Sequence, residues 1–389
     1  MGQSATSPGA PAPDRLARLI QNRVCGDRTR IPLEIRLWSG RSYRFGAGEP
    51  AVKIVVKDRT AMSALRRLDE LRICEAYMNG NLDVLGDMLG FASLRSGLHD
   101  SHPLYDLWQR IAPRLFGRIS TDRKAIAAHY DLPSDFYLRF LDASRCYSHA
   151  LFERDDEALE TAQRRKPDFS IDACQLKPGL QVLDVGGGWG TFTEHAGRRG
   201  IEVTSLTISR ESETFLTELI ERLQLPCRVV NRDFLAYNSS EPYDAIVILG
   251  VMEHLPDYPA VLRQLQRLLK PGGRVYLDAS ALREKYGKPN FIARYIFPAD
   301  HAFLCLHDFL HAVAKTPMEV LAVHNDRHNY FLTCKDWAEN LDAARDEIIR
   351  RWGEALYRRF RLYLWGSAYA FLSRSADAYR IVLERPPDA

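Results

Sequence analysis

No two cysteines in this 389-residue sequence stand as C-x-x-C. The seven are scattered, at positions 25, 74, 146, 174, 227, 305 and 334. That scatter argues against a zinc site or a disulfide framework and fits a reducing cytoplasm. No apolar run approaches the roughly 18 residues that a membrane-spanning helix needs. Charge of one sign is not in excess either: 53 basic against 50 acidic residues leave +3, so no nucleic-acid partner is expected. No internal repeat is visible. Residues 1–14 are rich in Pro, Ala, Gly and Ser but lack an apolar h-region, and read as a disordered tail rather than a signal peptide. What remains is a chain long enough for two domains, 46% apolar and mixed in charge, as in a globular protein.

Residues 15–100 read as a small α+β domain. A short helix over 15–23 precedes Leu33, Ile35 and Leu37, which alternate with Glu34 and Arg36 as in a half-buried strand. Ser39-Gly40 suits a hairpin turn, with a return over 42–45 and a further strand over 52–56. The spacing over 63–79 predicts one helix. No catalytic constellation is evident, so a scaffold or lipid-presenting role is expected. A linker helix is expected over 101–125, carrying Arg110, Arg114 and Arg118 among Trp108, Ile111 and Leu115. Such a helix lies on an anionic membrane or simply turns a solvated face outward.

From residue 126 onward the pattern becomes that of a catalytic domain. Strands over 180–185, 203–208, 227–230, 243–249 and 274–278 alternate with helices over 192–199, 211–223 and 258–269. This is a doubly wound α/β sheet, a Rossmann-like fold. A helical region follows over 337–364, and a last strand over 379–384. The first strand runs into Val182-Leu-Asp-Val-Gly-Gly-Gly-Trp-Gly-Thr191. Gly186, Gly188 and Gly190 let the backbone turn sharply and approach a ligand closely. A dinucleotide fold normally adds an acid at the end of the second strand, but here that end reads Leu206-Thr-Ile-Ser-Arg-Glu211. Asp184 before the glycines, Asp233 after the third strand, Met252-Glu-His254 after the fourth and Leu268-Leu-Lys-Pro-Gly-Gly273 before the fifth resemble, as an ordered set, a class I methyltransferase dependent on S-adenosylmethionine (SAM). Asp233 suits an adenine amino group or, equally, the cap of the next turn.

Upstream lie His129-Tyr-Asp-Leu-Pro-Ser-Asp-Phe136, Phe140-Leu-Asp-Ala-Ser144, Tyr147-Ser-His-Ala-Leu-Phe-Glu153, Ala162-Gln163 and Leu176-Lys-Pro-Gly179. With the glycine turn, Leu206-Thr-Ile-Ser209, Met252-Glu-His254, Tyr295-Ile-Phe-Pro298 and Tyr363, the chain resembles the cyclopropane fatty acid synthase family, including the mycolic acid cyclopropane synthases. Glu75-Ala-Tyr-Met-Asn-Gly80 and the early strands resemble the N-terminal domain of the phospholipid-acting members.

The resemblance implies methyl transfer from SAM to a cis double bond of an acyl chain. The resulting carbocation gives a cyclopropane or a methyl- or methylene-branched product. It implies unsaturated phospholipid as partner, at the inner face of a membrane that a cytoplasmic chain meets peripherally, and a homodimer is open. Tyr147, Ser148, Thr207 and Ser209 would join Asp184, Asp233 and the three glycines around SAM. The segment 281–330 would cover the acyl chain.

In the phospholipid enzymes a bicarbonate, held by a Cys, a Glu, a His and a Tyr with backbone groups, serves as base. Glu253 matches the Glu and Tyr363 the Tyr. The Cys falls on His149 and the His on Asp278, a carboxylate that would repel an anion. Two readings stay open: His149 supplies the lost donor, or no bicarbonate binds and Asp278, Glu253 or His149 takes the proton itself. Asp278 can also merely bond a backbone group. Gly187 replaces a frequent Cys, and Ser212 a Gln that often contacts SAM. His301, His307, His311, His324 and His328 show no ligand spacing, so no metal is expected. Methylation of a soluble or sterol-like alkene, and binding without turnover, are the competing functions.

Overall fold

The computed structural model describes residues 15–25, 31–100, 132–285, 287, 289–297 and 301–387. The tail 1–14, the linker helix 101–125, His129 to Asp131 of the upstream motif and Pro298 lie outside the described residues. The chain divides into two compact units, Met1–Ser101 and His102–Ala389.

The first unit holds α1 (Arg15–Ile20), β1 (Leu33–Leu37), β2 (Ser42–Phe45), β3 (Val52–Val56), α2 (Arg59–Arg67), α3 (Glu70–Met78), β4 (Leu82–Gly86) and α4 (Met88–Ser93). Its sheet runs β2-β1-β3-β4. Leu33 pairs with Val52 and Ile35 with Ile54, so the alternating apolar residues share one buried face. The single helix expected over 63–79 is two. Leu68 takes a left-handed conformation (φ 51°), and Asp69 restarts the helix by accepting a hydrogen bond from the Arg72 N–H at 3.1 Å.

The second unit contains α5 (Ser134–Tyr137), α6 (Leu159–Ala173), β5 (Gln181–Val185), α7 (Thr191–Gly197), β6 (Glu202–Thr207), α8 (Arg210–Leu223), β7 (Cys227–Asn231), β8 (Tyr243–Leu249), α9 (Tyr258–Leu268) and β9 (Leu269–Ala281). Then come α10 (Leu306–Val313), β10 (Glu319–Asn325), α11 (Arg327–Ala343), α12 (Arg345–Trp352), α13 (Glu354–Leu372) and β11 (Asp377–Glu384). The sheet order is β10-β11-β9-β8-β5-β6-β7, parallel from β9 to β7 with β11 antiparallel beside β9. Both faces are covered, which is why β8 reads as an unbroken apolar run, Ala245-Ile-Val-Ile248, all fully buried. Leu183, Ile246 and Leu277 pack toward Val261, Leu262 and Leu265 of α9. Val182, Val247 and Tyr276 pack toward Ile171 of α6 and Phe192 of α7.

Two segments differ from the sequence pattern. The helical region 337–364 is part of three helices, divided at Ala344 and at Gly353, whose φ of 88° a side-chain-bearing residue rarely adopts. Strand β10 lies inside the segment assigned to the acyl pocket, where the pattern shows no strand. Val320, Leu321 and Val323 are all exposed, so no alternation marks it, and its pairing is with the distant β11. The chain leaves β5 toward β6 and β7, then returns to β8 on the other side. Ligands of such sheets bind at that switch point, beyond the strands' carboxyl ends.

Candidate active site

The turn after β5 is made of glycine for steric reasons that the structure supplies one by one. Gly186, Gly188 and Gly190 have φ of 78°, 51° and 81°. A Cβ on Gly186 would strike Val251, one on Gly187 would strike Ser205 Oγ, and one on Gly190 would strike Leu219. The N–H groups of Gly186 and Gly187 both donate to Leu206 O at 2.9 Å. Ser212, in place of the frequent Gln, donates its hydroxyl to Gly188 O at 2.7 Å and so ties down the same turn.

The side chains expected around SAM converge on one cavity. Asp184, Gly186, Gly188, Thr207, Ser209 and Asp233 line one wall, and Tyr147 and Ser148 the other. Gly190 stands outside this lining, as the N-cap of α7. Asp184 Oδ2 accepts from Thr193 Oγ1 at 2.9 Å and Ser205 Oγ at 3.1 Å; burial nevertheless pushes its carboxyl up to about 6. Asp233 Oδ1 accepts from the Leu235 N–H at 2.9 Å, so the capping role holds while the residue also faces the cavity. Arg145, at a φ of 63°, donates from Nε to Trp189 O at 2.9 Å and pairs with Glu194, which pins the Tyr147–Ser148 wall across the glycine turn. Carboxylates, hydroxyls, close backbone and the apolar Phe234 and Leu255 suit the amino-acid, ribose and purine parts of SAM.

Beside this cavity lies a buried polar cluster. Glu253 sits in the 3₁₀ turn Met252–His254 after β8, and Ser280 donates to its Oε1 from both N–H and hydroxyl at 2.7 Å. Its Oε2 is buried with no hydrogen-bond partner among the described residues. Burial pushes the carboxyl up to about 7, against the Ser280 bonds and with a further upward contribution from Asp278. Asp278 is fully buried on β9: its Oδ1 accepts the Gly250 N–H at 2.9 Å, and its Oδ2 lies 2.9 Å from Lys166 Nζ. Lys166 also donates to Ser148 Oγ at 2.6 Å and to His149 O at 2.7 Å. His149, also fully buried, lies 3.3 Å from Asp326 Oδ2 through Nε2, while its Nδ1 has no partner among the described residues. Burial opposes the Asp326 charge, but His149 and Arg380 outweigh it and hold that carboxyl below its usual value.

Of the four residues expected to decide the chemistry, contacts therefore link Glu253, Asp278 and His149. Tyr363, on α13, packs edge-on against Phe297 and Phe360. Sequence reasoning missed three members. Lys166 lies on the inward side of α6 with Gln163 and Ser170, all fully buried; polar residues at i, i+3 and i+7 on that face were the available signal. Asp326 precedes α11, and nothing local distinguishes it from a cap. Tyr330 has its ring centre 5.1 Å from that of His149, and burial and the charges of Glu253 and Asp278 push its phenol well above the ordinary value.

A glycine turn at the switch point, an antiparallel strand beside β9 and this cavity together define a class I SAM-dependent methyltransferase. The chain belongs to the mycolic acid cyclopropane synthetase family, whose model matches residues 118–381. Residues 21–93 match a second family, described as a domain of unknown function. The cyclopropane-fatty-acyl-phospholipid synthase of Escherichia coli K12 is 31% identical over 350 residues, covering 87% of this chain and 89% of that protein. A probable fatty acid methyltransferase of Pseudomonas putida is 29% identical, covering 92% of each. The structure of the cyclopropane synthase MmaA2 from Mycobacterium tuberculosis superposes with a TM-score of 0.64 at 30% identity, over 67% of this chain and 98% of that one. The protein is thus a SAM-dependent methyltransferase related to enzymes that modify fatty acyl chains. No helix among the described residues is long and apolar enough to cross a membrane.

Proposed function

We propose that this enzyme adds a one-carbon unit to the cis double bond of an unsaturated phospholipid acyl chain, through a carbocation, to give a cyclopropane or a methyl- or methylene-branched chain. The observation that carries this reading is Glu253: one carboxylate oxygen is fixed by Ser280 and the other is buried and unpartnered, beside the SAM cavity. SAM supplies an electrophilic methyl on a sulfonium. An alkene is a weak nucleophile, so the chain must hold the two in line and exclude water, which would quench the cation. The glycine turn and the Tyr147–Ser148 wall hold the donor, and a deprotonated carboxylate beside it stabilises a developing cation and accepts its proton.

A lipid surface also suits the first unit. Trp38, half exposed at the tip of the β1–β2 hairpin, is flanked by exposed Arg36, Arg41 and Arg44. An aromatic among guanidinium groups matches the interface of an anionic bilayer. The test is to incubate enzyme and SAM with vesicles of unsaturated phospholipid and weigh the released fatty acids. A gain of one methylene unit is expected; no gain on any unsaturated lipid, with turnover on a soluble alkene, would replace the lipid reading with the metabolite one.

A further inference from the structure

We propose that the chain carries its own proton acceptor, the Oε2 atom of Glu253, and that protein carboxylates fill the donors a bound bicarbonate would need. This rests on the alkene methyl transfer proposed above.

Holding an anion in a dry pocket requires N–H or O–H groups with protons to spare. Around Glu253 the amide, hydroxyl and ammonium groups of Gly250, Ser280 and Lys166 are already committed. The Gly250 N–H ends on Asp278 Oδ1. The N–H and hydroxyl of Ser280 both end on Glu253 Oε1. Lys166, the buried cation of this cluster, donates to Ser148 Oγ and His149 O and is ion-paired with Asp278 Oδ2 at 2.9 Å. The imidazole of His149, at the position of the family Cys, is turned with Nε2 to Asp326.

The carboxylate atoms of this cluster left without a hydrogen bond among the described residues are of the opposite kind: Glu253 Oε2 and Asp278 Oδ2 are acceptors. His149 Nδ1 joins them when the neutral ring donates from Nε2 to Asp326. The unbonded donors nearby, the Tyr276 hydroxyl and Arg380 Nε, lie toward the carboxylates of Asp278 and Asp326. With its carboxylate oxygens unbonded and its amide, hydroxyl and ammonium protons in use, the pocket disfavours bicarbonate: an anion entering it would meet Glu253 and Asp278 with no uncommitted donor from Lys166 or Ser280. It can accept a proton. Of these acceptors, Glu253 is the one aligned by two short bonds and, when ionised, the one whose negative charge no neighbouring cation pairs, so that it can offset a carbocation. In the step, the C–H bond of the transferred methyl breaks, its electron pair closes the ring onto the cationic carbon, and the proton passes to Glu253 Oε2, to be released to water after product leaves.

Turnover on unsaturated vesicles is measured in carbon-dioxide-stripped buffer and again with millimolar bicarbonate. A difference of less than about twofold is expected; a loss of more than about tenfold on stripping, restored by bicarbonate, overturns the proposal, since general-base catalysis typically contributes about 10²–10⁴. A second measurement needs no substrate: ¹³C-bicarbonate is titrated with the protein and SAM. No saturable line broadening is expected, and saturable broadening in the wild type overturns the proposal. This readout still decides if no lipid is methylated, a result that would defeat only the functional reading. Glu253→Gln is expected to lose turnover by about 10²–10⁴-fold with SAM affinity retained by calorimetry, and Glu253→Asp to recover part of it. Loss in His149→Gln with retention in Glu253→Gln would overturn the assignment to Glu253.

Discussion

Removing the ammonium of Lys166 tests the electrostatic logic of the buried cluster. At 2.9 Å from Asp278 Oδ2, and with an effective dielectric of about 20, the attraction is about 6 kcal/mol, offset by the desolvation of both ions. Lys166→Met leaves the Asp278 carboxylate with the Gly250 N–H alone and strands Ser148 Oγ and His149 O without their donor. Breaking one side of a buried pair costs about 3–5 kcal/mol, because the surviving charge has no compensation. For a unit of this size each kcal/mol lowers Tm by about 2–4 °C, so a fall of about 6–20 °C is expected. Asp278→Asn strands the cation instead and should cost a comparable amount. The double variant removes both charges, while the amide oxygen that Asp278→Asn introduces still accepts from the Gly250 N–H. It should be more stable than either single variant, with a coupling of several kcal/mol in a double-mutant cycle. Urea unfolding and thermal melts of the four proteins supply the measurement. A cost below about 1 kcal/mol for Lys166→Met, or a double variant no better than the singles, would mean that the pair is not the electrostatic unit described.

Glu253 links activity and stability to pH. Its folded carboxyl titrates at about 7 against 4.5 for an unperturbed glutamate, so the folded state holds a proton that the unfolded state has released. That contribution to stability is fully present below the unfolded value and is lost as pH rises through about 7, a change of about 3 kcal/mol. Glu253→Gln should remove it, so the stability gap between variant and wild type should widen between pH 5 and 8 in urea titrations; a gap that does not change with pH refutes the assignment. Turnover should rise through the same range as the carboxylate forms. Gly187→Ala should destabilise by about 1–3 kcal/mol and weaken SAM binding, because the new methyl meets Ser205 Oγ, itself bonded to Asp184. Adding Ser205→Ala should recover part of the loss in calorimetry, and no recovery would place the cost elsewhere. Trp38→Ala should cut co-sedimentation with anionic vesicles by about tenfold, the order expected for withdrawing one large aromatic from an interface, with Tm unchanged. Equal sedimentation of the two proteins would remove the hairpin from the membrane contact.

The doubly wound sheet was legible because its signals are local: apolar runs for buried strands and glycines where the backbone turns sharply. The helical spacing alone passes over the cap at Asp69, and so α2 and α3 read there as one helix. The lining of the cavity was legible for the same reason, since Asp184 is next to last in β5, Thr207 ends β6, and Ser209 and Asp233 follow β6 and β7. Tertiary contacts were not. Lys166 reads as one more cation in Arg164-Arg165-Lys166, yet it is fully buried while Arg165 reaches outward to Glu153 and Glu157. Asp326 meets a residue far earlier in the chain, and Tyr330 shows its setting only once α11 packs beside His149.

The two departures at His149 and Asp278 look unfavourable when each is taken singly: an imidazole without a partner, and a carboxylate where an anion should be welcome. The folded chain answers each from another element: Asp326, preceding α11, lies 3.3 Å from His149 Nε2, and Lys166 on α6 pairs with Asp278. Asp278 and Lys166 cancel in formal charge, and Asp326 is paired with Arg380. What remains uncompensated is Glu253, which Ser280 orients and whose ionisation burial and Asp278 oppose. A buried site that balances its other charges and leaves one carboxylate oxygen open concentrates its proton affinity at that oxygen. In the mechanism proposed here, compensation of the neighbours, as much as burial of Glu253 itself, is what singles this group out as the proton acceptor beside a cation.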